Sequence, residues 1–289
     1  MKPPTDTSID QLLDLQSYYE DLFAKAQQVV RWHYQWIVLN EFLPLVCGAG
    51  VVGDVEKNGP RFYLPERQPF IPVEFAVAAF RFGHPTVRSS YQVNENFTAP
   101  IFPADPNAPA DPRTDLRGGP VMAGQAVDFS FFFPTSETRA SQPTKKINAK
   151  LAAPLLDLPD SAIPGAGENE LTEPLRSLAV RNLLRSETQE LPSGQDVARK
   201  IGERALTDSE LGTSGPIYLW YYILKEAEVT QHGLRLGAVG ARIVAEVLIG
   251  ILDADPTSYR SVFPAWTPTL AGKDGLFGIV QLLRFAGVA

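Results

Sequence analysis

The chain opens on a helical period. From Ser8 to about Val46 apolar residues fall at Leu12, Leu13, Leu15, Tyr19, Leu22, Phe23, Ala26, Val29 and Val30, and then at Trp32, Trp36, Ile37, Leu39, Phe42 and Leu43. Steps of three and four of this kind mark one face of a helix. Asp6 and Ser8 suit its cap, and Pro44 with Gly48 suit its stop. Apolar residues occupy more than one face, which predicts a helix buried from several sides at the centre of the fold.

Residues 61–70, "RFYLPERQPF", read as a loop with room for a short strand. Pro72 and Glu74 then suit the start of a second helix, which Pro85 should perturb directly after His84. The stretch 100–170 is rich in proline and irregular, as expected of a segment that wraps a core or serves function. Helical spacing returns at 174–187, 194–203, 216–231, 237–253 and 275–286. Strand signals are few and internal repeats absent, so the class is mainly α. No internal boundary divides residues 1–289, which read as a single domain.

Composition narrows the function. A net charge of −7 offers no basic face for phosphates, so no nucleic acid partner is expected. No apolar run reaches the about 20 residues of a membrane span; the nearest, 237–252, contains Arg242 and Glu246. Cys47 is the single cysteine, which leaves no internal disulfide, and it reads as a small apolar filler. The N-terminus lacks the order of a secretory signal, so the default location is cytoplasmic. "GGPVMAGQ" and "GAVGARIV" lack the strand-then-helix context of a phosphate loop.

His84 is one of three histidines. Arg81 precedes it by three residues and Arg88 follows by four, so on a helix both share its side. Glu74 is the one acid within two turns. Cations beside a buried histidine need anions, and a ligand bearing carboxylates would supply them. His232, followed by Gly233, reads as a helix C-cap, and no serine has the histidine and acid partners of a hydrolase.

Three stretches carry a resemblance. "FAVAAFRFGHPTVRSSY" (75–91) resembles the proximal-histidine segment of the heme peroxidase–cyclooxygenase superfamily, specifically its animal-type peroxidases and their bacterial members. "SLAVRNLLRSETQELPSGQDVARKIG" (177–202) resembles the segment holding the asparagine that accepts the imidazole N–H, followed three residues on by an arginine and ending in Leu-Pro. "AQQVVRWHYQWIVLNEFLPLVCG" (26–48) is similar to the Glu-Phe-Leu-Pro helix that precedes the proximal segment. The resemblance covers about 22–90 and 177–253, and leaves 1–21 unmatched.

The resemblance implies a truncated animal-type heme peroxidase fold, its C-terminal, proximal part. It implies heme b as cofactor, His84 as the iron ligand, Asn182 as acceptor of the other ring N–H, and Arg81 and Arg185 as propionate partners, with Arg88 left to a structural salt bridge. The family's distal Gln-x-x-x-His pair and calcium loop have no counterpart, and His33, inside "RWHYQW", cannot take that role, so no catalytic residue is identified. The expected function is peroxide-dependent oxidation of small donors once a partner chain supplies the distal half. The alternative is a non-catalytic heme-binding or scaffold remnant. A fatty-acid dioxygenase is disfavoured because Arg81 stands where that branch carries its radical-forming tyrosine. Helix 216–231, "PIYLWYYILKEAEVTQ", is expected to need covering by the absent half.

Overall fold

A computed structural model of the chain describes residues 9–65, 68–105, 108–109, 111–163, 174–270, 272 and 275–288, with side chains from Gln16 onward. The proposed cap at Asp6 and Ser8 lies outside these residues.

Helix α1 spans Ile9–Ile37. Its chain continues through a widened π-turn, Val38–Phe42, into α2, Leu43–Cys47, and α3, Ala49–Asn58. Pro44, at the first turn of α2, has no N–H to give the preceding turn, and the backbone loosens just before it. The α1 expectation needs correcting. Every described residue from Gln16 to Arg31 is exposed, including Tyr18, Tyr19, Leu22, Phe23 and Val30. Burial begins at Trp32, whose indole N–H donates to the Thr257 carbonyl at 3.1 Å. Trp266 packs edge-on against Trp32, His33 and Trp36, and fastens the end of α1 to the C-terminal region.

The core lies between α7, Leu219–Gln231, and α8, Ala238–Ala254. Trp220, Tyr222, Ile223 and Leu224 of α7 are all buried, so this helix is interior rather than a face awaiting cover. Glycines set the closest approaches. A Cβ at Gly240 would stand 2.8 Å from Ile223, and one at Gly194 would stand 2.0 Å from the ring of Tyr222. Gly194 opens α5, Gly194–Ile201, after α4, Leu178–Thr188; the short α6, Asp208–Leu211, follows. Two further helices, α9 at Tyr259–Val262 and α10 at Ile279–Phe285, close the chain.

Two buried carboxylates pin α8. Glu246 Oε2 accepts the amides of Arg61, Phe62 and Tyr63 at 2.7–3.2 Å, so 61–63 is held by a side chain and forms no strand, against the sequence expectation. Glu226 Oε2 accepts the Val239 amide at 2.9 Å, in the first turn of α8. The one sheet among the described residues is a hairpin, β1 (Ser90–Asn94) antiparallel to β2 (Phe97–Pro100). Beyond it, 100–163 runs irregularly with isolated 3-10 turns.

Burial raises the Glu226 carboxyl to about 7 against the amides that favour its charged form. The folded chain therefore binds this proton more tightly than the unfolded one does. The stabilisation is complete below about pH 4.5 and is lost as pH rises through 7. Glu226→Gln keeps one acceptor and cannot ionise. Its melting temperature relative to the parent should climb between pH 5 and pH 8, corresponding to roughly 2–4 kcal/mol; a pH-independent difference would contradict this account.

Candidate functional site

His84 lies in a tight segment. A π-turn, Glu74–Ala78, passes into a 3-10 helix, Ala79–Thr86, that contains Pro85. With three residues per turn, Arg81 and His84 are eclipsed on one side. The turn is held by Thr86 Oγ1 donating to the Gly83 carbonyl at 2.7 Å and by the Trp220 indole donating to the Arg81 carbonyl at 3.3 Å. The helix ends at Thr86, so Arg88 leaves the side of His84. Its guanidinium donates to the Pro143 carbonyl at 3.0 Å, and it forms no salt bridge among the described residues, contrary to expectation.

Helix α4 supplies the partner. Its N-terminus is capped by Ser177, which accepts the Val180 amide, and Asn182 sits fully buried one turn in. Asn182 Nδ2 donates to His84 Nδ1 at 2.9 Å, across 98 residues of sequence. The expected orientation was the reverse, with the side-chain oxygen accepting. Here Oδ1 is buried without a partner, and a half-turn of the amide exchanges the two atoms. Either orientation leaves one amide atom unpaired, so the ring tautomer decides between them.

Two guanidinium groups, Arg81 and Arg185, act on the imidazole, and a third, Arg181, adjoins them. Arg185 lies one turn after Asn182, and its Nη1 is buried without a partner. Arg81 donates through Nε to the Ala76 carbonyl at 2.9 Å. Arg181, which the sequence reading passed over, donates through Nη1 to the Ala162 carbonyl at 3.1 Å. Its spacing of four from Arg185 was a readable sign that the two share a helix face. Among the described residues no acid forms an ion pair with any of the three. Burial first, and then the charges of Arg185 and Arg181, push Arg81 below its ordinary value; burial and Arg181 do the same to Arg185. Burial, then Arg81 and Arg185, lower His84 to about 4. At neutral pH the imidazole is uncharged and fit to bind a metal ion.

The remaining candidates lie elsewhere. His33 is enclosed by Trp266 and Phe277, with Nδ1 donating to the Val29 carbonyl at 2.7 Å. His232 adopts a left-handed backbone and caps the C-terminus of α7. Burial pushes the Cys47 thiol up to about 12, so a thiolate is disfavoured. Glu74 faces a separate, largely apolar cavity of about 560 Å³ near Phe62, Ile243 and Glu246, which neither His84 nor Asn182 lines. No helix among the described residues is long and apolar enough to cross a membrane.

Residues 12–110 match the family model of animal haem peroxidase, a match that starts inside the segment 1–21 for which the sequence offered no counterpart. No curated protein matches the chain. Among solved structures the chain is similar to peroxidase A from Dictyostelium discoideum, with a TM-score of 0.55 at 19% identity, over 84% of this chain and 45% of that one. It thus spans less than half the length of that protein, and the likeness is one of fold. Residues 12–110 thus match a family model of animal haem peroxidase, and the mainly helical fold of the chain is that of a peroxidase structure.

Proposed function

We propose that residues 1–289 form one partial peroxidase domain that binds heme b through His84. The observation that carries this reading is a half-buried, neutral histidine tied to Asn182 and set beside arginines that have no acid partner among the described residues. The buried orphans fit the group: Arg81 and Arg185 supply cations for two propionates, and Asn182 Oδ1 is an acceptor in reserve. Heme, when bound, supplies a redox-active iron that can react with peroxide.

The protein's own part is to hold a proton in the right place. For His84 Nε2 to act as a ligand, the ring proton must sit on Nδ1, and the amide of Asn182 must present Oδ1 to it. Burial keeps Nε2 unprotonated to about pH 4, and the packing of Pro85 and Trp220 fixes the ring's segment. Proton transfer on the opposite face needs a second base and an arginine. His33 and His232 are placed elsewhere, so the peroxide-dependent oxidation of small donors draws these groups from outside the described residues, as a partner chain could supply them.

Titration of the purified chain with hemin should develop a Soret band, and His84→Ala should abolish it. A band unchanged in the variant removes His84 from the site. Affinity should hold from pH 8 to about 5 and fall as pH approaches 4, where protonation takes the lone pair.

The heme-loaded chain alone should oxidise common peroxidase donors within about tenfold of free hemin, because acid–base and electrostatic assistance are missing. Steady-state rates like those of a complete peroxidase would mean that a proton-transferring residue resides in this chain.

Asn182→Leu removes the acceptor and leaves a ring N–H unpaired at a cost of about 1–3 kcal/mol, so heme affinity should drop. The weaker imidazole donor should also raise the reduction potential by on the order of tens of millivolts, whereas Asn182→Asp should lower it. Spectroelectrochemical titration giving equal potentials for all three would leave Asn182 as a helix residue only.

A further inference from the structure

Beside the imidazole, α4 and the turn at 160–163 enclose a cavity of about 300 Å³ lined by Ile163, Leu175, Arg181, Leu184, Arg185 and Thr188. Two of these residues are guanidinium cations, three are aliphatic, and none is a carboxylate. Arg181 spends one N–H on the Ala162 carbonyl, Arg185 keeps a buried Nη1 unpaired, and no ion pair reaches either of them among the described residues. Aspartate 160, the acid nearest in sequence to the turn, is held by Arg176 instead.

A charge count narrows the occupant. Arg181 lies close enough to Arg81 and Arg185 to disfavour their charge, which makes three positive groups in one neighbourhood. Two propionates would neutralise two of them. On the heme reading given above, Arg81 and Arg185 are those two, and Arg181 is left over. A planar guanidinium presents parallel N–H groups that match a carboxylate, and low-dielectric walls strengthen the pairing. The aliphatic walls of Ile163, Leu175 and Leu184 favour an apolar body over bare phosphate, for which the cavity offers no converging backbone amides.

We propose that this cavity is a binding site for a small organic monocarboxylate with an apolar body, its charge taken by Arg181 and its body by Ile163, Leu175 and Leu184. Its anchoring cation, Arg181, is not one of the two assigned to heme propionates, while Arg185, which is, lines the same cavity. The site depends on the heme reading for one point, that Arg181 rather than Arg185 is the spare cation.

Isothermal titration with 2-naphthoate, on the chain with and without bound heme, tests the proposal. Binding is expected in both states, weakened about tenfold or more in Arg181→Gln and less in Arg181→Lys, which keeps a charge. Uncharged 2-naphthamide should bind at least about tenfold more weakly to the unaltered chain, a comparison that needs no variant to fold. The proposal is overturned if naphthoate fails to bind, if the amide binds equally well, or if a folded Arg181→Gln binds as the parent does. Loss of naphthoate on heme loading would also overturn it, since the carboxylate would then have occupied a propionate position. A chain that takes up no heme yet binds naphthoate through Arg181 retains this site and removes the heme reading alone.

Discussion

The ring of Tyr222 lies directly on the backbone of Gly194, and that contact sets how closely α5 can approach α7. Other neighbours of α7 are fastened to it by similarly specific means. Trp220 holds the carbonyl of Arg81, the Tyr222 hydroxyl accepts the Leu206 amide, Ile223 fills the gap left by Gly240, and Glu226 reaches the first turn of α8. Helix α7 is thus a hub, packed against the segment that carries His84, against α4, which carries Asn182, and against α5, α6 and α8. His84 and Asn182 are separated by 98 residues, and α7, on which both segments pack, together with the direct packing of α4 on the turn Glu74–Ala78, brings them into contact. A shift of an ångström in α7 would separate a pair that tolerates only a few tenths.

Charge placement follows from that packing. Arg81 and Arg185 beside a half-buried imidazole raise the free energy of the folded chain, since both are partly desolvated and Arg181 adds its charge to theirs. A fold does not gain stability by such an arrangement, and sites of this kind are where function concentrates. Burial first, and then Arg81 and Arg185, keep the imidazole neutral, so the electrostatics that suit an anion also preserve the lone pair of a ligand.

Much of the helical content was legible because apolar spacing reports a buried stripe, and α4, α5, α7 and α8 fall close to their expected places. Burial was not legible to the same degree. The apolar residues of α1 suggested an interior helix, and those of α7 suggested an uncovered surface, yet the first stands out in solvent and the second is enclosed. Periodicity says that a face is apolar and is silent on what covers it. The hairpin at 90–100 was missed although Tyr91, Val93, Phe97 and Ala99 alternate about Asn94–Asn96. His84, Asn182, Arg81 and Arg185 were singled out by motif resemblance, and the structure brings His84 and Asn182 into contact. The place of Arg181 beside Arg81 was not legible, because it depends on what surrounds α4 in space.

Helix α1 runs for 29 residues, about 44 Å, and only its last two turns are embedded. From Gln16 to Arg31 its hydrogen bonds are backed by no tertiary packing, and a lone helix of that length is marginal in water. Opening of this stretch is therefore uncoupled from unfolding of the core around α7 and α8. Its amides exchange with solvent deuterium through local fraying, while those of α8 wait for global unfolding. A protease meets the same hierarchy, and nicks the chain ahead of Trp32 long before it reaches the histidine.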